Sequence, residues 1–184
     1  MRKNNLITIF ALLALVASSC KKNFIELSPQ DQPSSATFFQ TASQFQQALV
    51  AAYTPLRDLM TNDFYTGEMR SDNTHYQFYQ VNRGTAYVYR ENIADFTDQA
   101  IDDYTNAVYF HCYHGISRAN IVIQRIATAT IADSSKRRID GEAKFLRAFN
   151  YFKLVRYFGA VPLYLKEIDN VDDAFLPRTT ADSV

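Results

Sequence analysis

Between residues 61 and 95 the chain gathers side chains able to bind a polyhydroxylated ligand. GEMRSDN (67–73) places Arg70, Asp72 and Asn73 almost side by side, and HYQFYQ (75–80) follows at once with Tyr76, Phe78 and Tyr79. Arg83 comes next, then Tyr87 and Tyr89. Flat aromatic faces can stack on the C–H surface of a sugar ring, while a carboxylate, an amide and a guanidinium satisfy its hydroxyls. Arg70, Asp72, Asn73, Tyr76, Tyr79 and Arg83 are therefore the candidate ligand-binding residues. A second reading of the tyrosines stays open, in which each ring packs the segment down with its phenol bonded locally. The chain has no Trp.

Other constellations are weaker. His111 and His114 stand at i, i+3 on one helix face, but a zinc site needs three or four converging ligands, and interfacial histidines are the expected reading. DNVDD (169–173) is oxygen-rich yet lacks the spacing and distal Glu of a calcium loop, so a solvated turn is expected. With three histidines and no nucleophile motif, the segment is not expected to be an enzyme, and no cofactor is expected.

These side chains need elements to hold them. TASQ (41–44) fits a capping box and opens a first helix over 41–60, with Phe45, Leu49, Ala52 and Leu56 at helical spacing. Pro55 predicts a kink or break near 51–54. Residues 62–97 show no sustained period and are expected to form one long ordered loop, because loops of this length are usually functional or disordered and its aromatics argue against disorder. A second helix is predicted over 98–127, its buried stripe running through Ile101, Tyr104, Val108, Cys112, Ala119, Ile123 and Ile126. Gly115 within it suggests a close neighbour. A third helix is predicted over 135–158, with DSS (133–135) as turn and N-cap, Gly159 ending it and Pro162 beyond. VPLYL then offers a short extended run.

The third helix carries large apolar groups all around, and its polar residues Arg147, Asn150, Lys153 and Arg156 form a thin ribbon. It should be sandwiched, with the ribbon paired structurally to acids such as Glu142, Asp102 or Asp103. Its Leu154/Phe158/Tyr151 side is expected to stay partly uncovered here, because the chain reads as the N-terminal part of something larger.

Residues 1–19 read as an export signal: Arg2 and Lys3, a short apolar run LITIFALLALV, then small residues ahead of Cys20. The apolar run is shorter than the roughly 20 residues a membrane span needs. Residues 20–40, with Pro29 and Pro33, read as a tether packing Phe24 and Leu27, and 41–184 as a helical domain. Cleavage before Cys20 leaves 17 basic against 19 acidic side chains, a balance that gives no electrostatic case for nucleic acid. Once Cys20 is modified, Cys112 is the only thiol and is expected to be buried as a small hydrophobe.

The order of Cys20, FIELSPQ, FQQALVAAY, GEMRSDN, YHGISRANIVIQRI, GEAKFLRAFNYFKLVRYFGAVPLYL and LPRTTADSV resembles the N-terminal region of the SusD/RagB family. The resemblance implies an all-α, TPR-like antiparallel scaffold and an outer-membrane lipoprotein, diacylated on Cys20 and exposed at the cell surface. It also implies a non-enzymatic role: capture of nutrients, mostly glycans, beside a SusC-type TonB-dependent transporter, with the region after the first helix contributing to the ligand site. A TPR-like protein-interaction scaffold, or capture of peptide rather than glycan, is the alternative.

Overall fold

A computed structural model describes residues 38–78, 80–81 and 83–184. The signal segment, Cys20, the tether through residue 37 and Tyr79 lie outside the described residues.

Three long helices dominate: α1 (Ala42–Gly67), α3 (Asp103–Ala127) and α4 (Asp133–Phe158), with a short α2 (Thr85–Ala94) inserted between the first two. Thr41 starts α1 with the expected capping box, its Oγ1 accepting from Gln44 N at 3.3 Å while Gln44 Oε1 accepts from Thr41 N at 3.0 Å. The expected break near 51–54 does not occur, and α1 runs seven residues beyond Met60. Pro55 has no N–H to give to Ala51, whose carbonyl would otherwise be stranded. Arg118 of α3 supplies the missing donor, Nη1 to Ala51 O at 2.7 Å. A tertiary contact thus mends the gap the proline makes.

The core lies in two stretches along the helices. The first joins the start of α1 (Phe45, Leu49, Ala52) to the end of α3 (Ala119, Val122, Ile126) and the start of α4 (Ile139, Ala143, Leu146). The second joins Leu59 to Val108, Cys112 and Ile116, then to Tyr151, Leu154 and Val161. The pairing makes α3 antiparallel to both α1 and α4. Cys112 is buried as expected, and burial pushes its thiol up to about 12.

Gly115 marks a close approach. A Cβ built there would meet the Asn150 amide nitrogen at 2.8 Å, so α4 seats a side chain where α3 has none. Asn150 is fully buried; its Nδ2 donates to Leu146 O at 2.8 Å, and among the described residues its Oδ1 has no partner.

The uncovered side of α4 is the opposite of the expected one. Tyr151 and Leu154 are buried, whereas Phe145 and Phe152 are 65% and 57% exposed. A helical wheel apolar on both sides cannot say which side meets the neighbours; packing on α1 and α3 chooses the arc through Leu146, Asn150 and Leu154. The polar ribbon is structural, but its partners differ from those expected. Arg147 Nη1 donates to Asn120 Oδ1 at 2.9 Å and Leu165 O at 3.1 Å, and Lys153 Nζ pairs with Asp63 at 2.6 Å. Arg156 lies over the Phe152 ring.

Gly159, at φ 68°, ends α4 as expected. α4 begins at Asp133, with Ala132 as N-cap, so 133–135 form its first turn instead of preceding it. The chain returns along the helices as a strap. β1 (Val161–Pro162) pairs antiparallel with β2 (Arg178–Thr179), and Asn120 Nδ2 donates to Tyr164 O at 2.8 Å. Tyr151 OH donates to Tyr164 O at 3.0 Å and accepts from Tyr164 N at 2.6 Å. Among the described residues no helix is long and apolar enough to cross a membrane.

Candidate functional site

The predicted long loop, 62–97, is partly helical. Its start belongs to α1, a 3-10 turn follows at Glu68–Arg70, and α2 occupies Thr85–Ala94. α2 buries Glu91, Ile93 and Ala94. α3 starts at Asp103 instead of residue 98, because Gln99–Asp102 forms a turn: Asp102 N bonds Gln99 O at 2.9 Å, and Asp102 Oδ2 accepts from Gln99 N at 3.1 Å. Ile101, expected in the buried stripe, therefore precedes the helix and is 75% exposed.

Three arginines organise the segment, each differently. Arg70 pairs with Asp98, and its guanidinium lies 5.0 Å from the Phe96 ring and 4.6 Å from the Tyr157 ring. Asp98 also accepts from Thr105 Oγ1 at 2.7 Å and Tyr157 OH at 3.1 Å. This one carboxylate ties the 3-10 turn, the turn before α3, α3 itself and the end of α4 together. Burial pushes the Tyr157 phenol up to about 12.

Arg90 of α2 sits among four tyrosine rings, 4.7 Å from Tyr65, 5.4 Å from Tyr104, 5.7 Å from Tyr76 and 5.8 Å from Tyr87. Its Nε donates to Tyr104 OH at 2.6 Å and its Nη1 to Tyr76 OH at 3.4 Å. The bond to Tyr76 is the largest influence holding this guanidinium's pKa above its ordinary value. Arg83 pairs with the buried Glu91 and lies 4.4 Å from the Phe78 ring.

The predicted residues thus separate. Arg70, Tyr76 and Arg83 each serve in a different one of these three contact sets. Asp72 and Asn73 are exposed, and the Asn73 backbone N–H donates to Ser71 Oγ at 3.2 Å. Arg90 and Asp98, which the sequence reading did not single out, hold the segment in place. The one signal for Arg90 was its place among the tyrosines of YVYR.

Beside the Asp98 junction lies a cleft of about 450 Å³. Asp63 and Thr66 of α1, Glu68 and Arg70 of the 3-10 turn, Phe96, and Lys153, Arg156 and Tyr157 of α4 line it. A second groove of about 490 Å³ runs along α3 past Tyr109, Phe110, Tyr113 and His114 to Tyr164. His111 and His114 both contact the Phe110 ring, at 5.3 and 5.5 Å. Burial, then the nearby Arg118 and His111, lowers the pKa of His114. The acidic turn after the strap closes on itself: Asp173 accepts from Asn170 Nδ2 at 2.9 Å and Lys166 Nζ at 3.3 Å.

Known proteins share this all-α scaffold of antiparallel helices. Residues 23–184 match a family model described as SusD-like, starch-binding, associating with the outer membrane. The chain belongs to that SusD-like family. A SusD-like protein of Formosa agariphila is 34% identical over 99% of this chain and 35% of its own length. A SusD-like protein of Bacteroides ovatus is 25% identical over 96% of this chain and 31% of its own. The chain therefore spans about a third of the length of these relatives. A solved SusD superfamily protein of Bacteroides vulgatus shares the fold with a TM-score of 0.64 at 20% identity, over 80% of this chain and 32% of that one. A solved SusD-like protein of Bacteroides fragilis also gives 0.64, at 24% identity, over 85% and 29%.

Proposed function

We propose that this protein is a lipid-anchored, cell-surface glycan-binding subunit that captures oligosaccharides for a SusC-type TonB-dependent transporter and catalyses no reaction itself. The match of residues 23–184 to a starch-binding, outer-membrane-associating family carries the reading. The crossover supports it. Around a fixed frame of Arg70, Arg90 and Asp98, it leaves Asp72 and Asn73 exposed and able to meet hydroxyls. Binding residues commonly sit on segments held by a rigid framework.

Calorimetry of the intact protein against an array of oligosaccharides tests the reading. Saturable binding is expected, and binding of peptides alone would replace glycan with peptide as cargo. Cys20→Ala should release the protein from the membrane fraction, since a stable anchor needs the acyl chains that residue would carry. A variant still sedimenting with membranes would count against the anchor. Co-purification with a TonB-dependent transporter is expected from detergent-solubilised membranes. Shielding from protease on intact cells would instead favour a periplasmic interaction scaffold.

A further inference from the structure

After the strap, residues 165–176 read LKEIDNVDDAFL, with apolar side chains set among acids. Leu165, Ile168, Val171, Phe175 and Leu176 are all exposed, Val171 at 72% and Phe175 at 78%. A single apolar group at a surface is ordinary, whereas a run of them within one short segment marks a surface that meets something.

The segment that carries them is firmly braced. At its base the Glu167 carboxylate accepts from Arg125 Nη2 at 2.8 Å, and the Glu167 N–H donates to Gln124 Oε1 at 3.0 Å. Asp173 N donates to Asn170 Oδ1 at 3.0 Å, opening a 3-10 turn at Asp172–Ala174. Tyr164 OH donates to Ala174 O at 2.7 Å, and just beyond, Arg178–Thr179 pair with the strap. The turn is thus ordered by polar contacts, while its apolar side chains stay outside. Among them opens a recess of about 280 Å³, lined by Leu163, Leu165, Ile168 and Leu176 and by the paired Lys166 and Asp173. Small-molecule sites run roughly 300–1,000 Å³. The recess is below that range and suits one large side chain.

The charges on the turn do not cancel. Lys166 is taken by Asp173 and Glu167 by Arg125, while Asp169 and Asp172 meet no cation among the described residues. An apolar centre beside a charged rim is the anatomy of a protein interface, and the sign of the rim selects the partner. We infer that the 165–176 turn is a protein-docking surface whose partner presents one large apolar side chain flanked by Lys or Arg. The apolar side chain fills the recess, Val171 and Phe175 add apolar area on the same turn, and Asp169 and Asp172 meet the basic groups. None of these residues belongs to the crossover, so the surface stands or falls apart from the glycan reading.

The test uses the intact protein and an array of short synthetic peptides. Each carries one Leu, Phe or Met flanked by Lys/Arg, by Asp/Glu or by Ser. Binding is expected for the basic-flanked set alone, weakening as salt screens the exposed charges. Asp169→Lys with Asp172→Lys should turn the preference toward the acid-flanked set. Phe175→Ser should lower affinity at least about tenfold, with melting temperature unchanged because the ring is exposed. Absence of binding by the basic-flanked set overturns the inference, as does a preference that charge reversal leaves untouched. A melting temperature several degrees lower for Phe175→Ser makes the ring structural and also overturns it. Glycan affinity should be the same in all these variants. On intact cells, a photoreactive benzoylphenylalanine replacing Val171 should crosslink another protein at an apolar residue flanked by Lys or Arg. A crosslink to the same chain or to a second copy means that the turn is covered otherwise, and the inference falls.

Discussion

The helical core and the crossover between α1 and α3 are held by different forces. Leu49, Leu146, Ile126 and their neighbours are buried to 0–1% and depend on shape and apolar area. The crossover places few large side chains in either core; it hangs on Arg70, Arg83 and Arg90, each in contact with aromatic rings. Aliphatic packing is tolerant of sequence but not of volume. A guanidinium between rings and a carboxylate is directional, so it fixes a short segment that has little area to bury. A segment too small to have a core of its own thus takes its rigidity from directional contacts.

The comparison predicts that core changes act on stability and crossover changes on binding. Leu146→Ala should act most strongly, costing about 2–5 kcal/mol in a denaturant titration. A loss below 1 kcal/mol would mean that α4 is less firmly seated than its burial implies. Asp98→Ala is the crossover change best able to break the contrast, because this carboxylate ties four elements. Losing its charged hydrogen bonds should cost about 1.5–3 kcal/mol and weaken glycan binding together.

Raised pH probes both regions at once. Burial holds Cys112 of the core and Tyr157 of the junction at about 12, above their ordinary 9.0 and 10.0. Below pH 9 both are protonated, folded or unfolded, and their contribution is complete. Above it the unfolded chain loses protons first, so stability should fall between about pH 9 and 12. The native thiol should also resist thiol reagents at pH 8 and react only on unfolding. Fast labelling of the folded protein would contradict its burial. Asp72→Ala should act least on stability, within about 0.5 kcal/mol. Its affinity loss for the bound glycan should reach about ten- to hundredfold by calorimetry.

The long helices were legible because their signals are local. Thr41 and Gln44 announce a start, Gly159 an end, and apolar residues recur at helical spacing. α2 was not, since Gly84 offers no side-chain cap and its ten residues bury only three. Continuity of α1 through Pro55 depends on Arg118, far away in sequence, which no local rule can supply. The exposed face of α4 was misjudged because rings lie on both sides of its wheel, and neighbours alone decide. Within the candidate site, residue types pointed to the crossover, but the roles of Arg70 and Arg83 as braces needed Asp98 and Glu91 in view. Phe96 gave no signal, as the left-handed backbone it takes at φ 58° is ordinarily announced by glycine.

The notch at Gly115 has a mechanical consequence. A helix pair packed by aliphatic side chains can in principle slip by one turn, about 5.4 Å, and re-engage. Here Asn150 sits in the one place along α3 where no side chain projects. A one-turn slip would bring it against His111 or Ala119, whose side chains leave no such recess. The contact works as an index pin. It denies the pair a sliding mode, so a load applied at the crossover end passes to α3 and α4 as one rigid body.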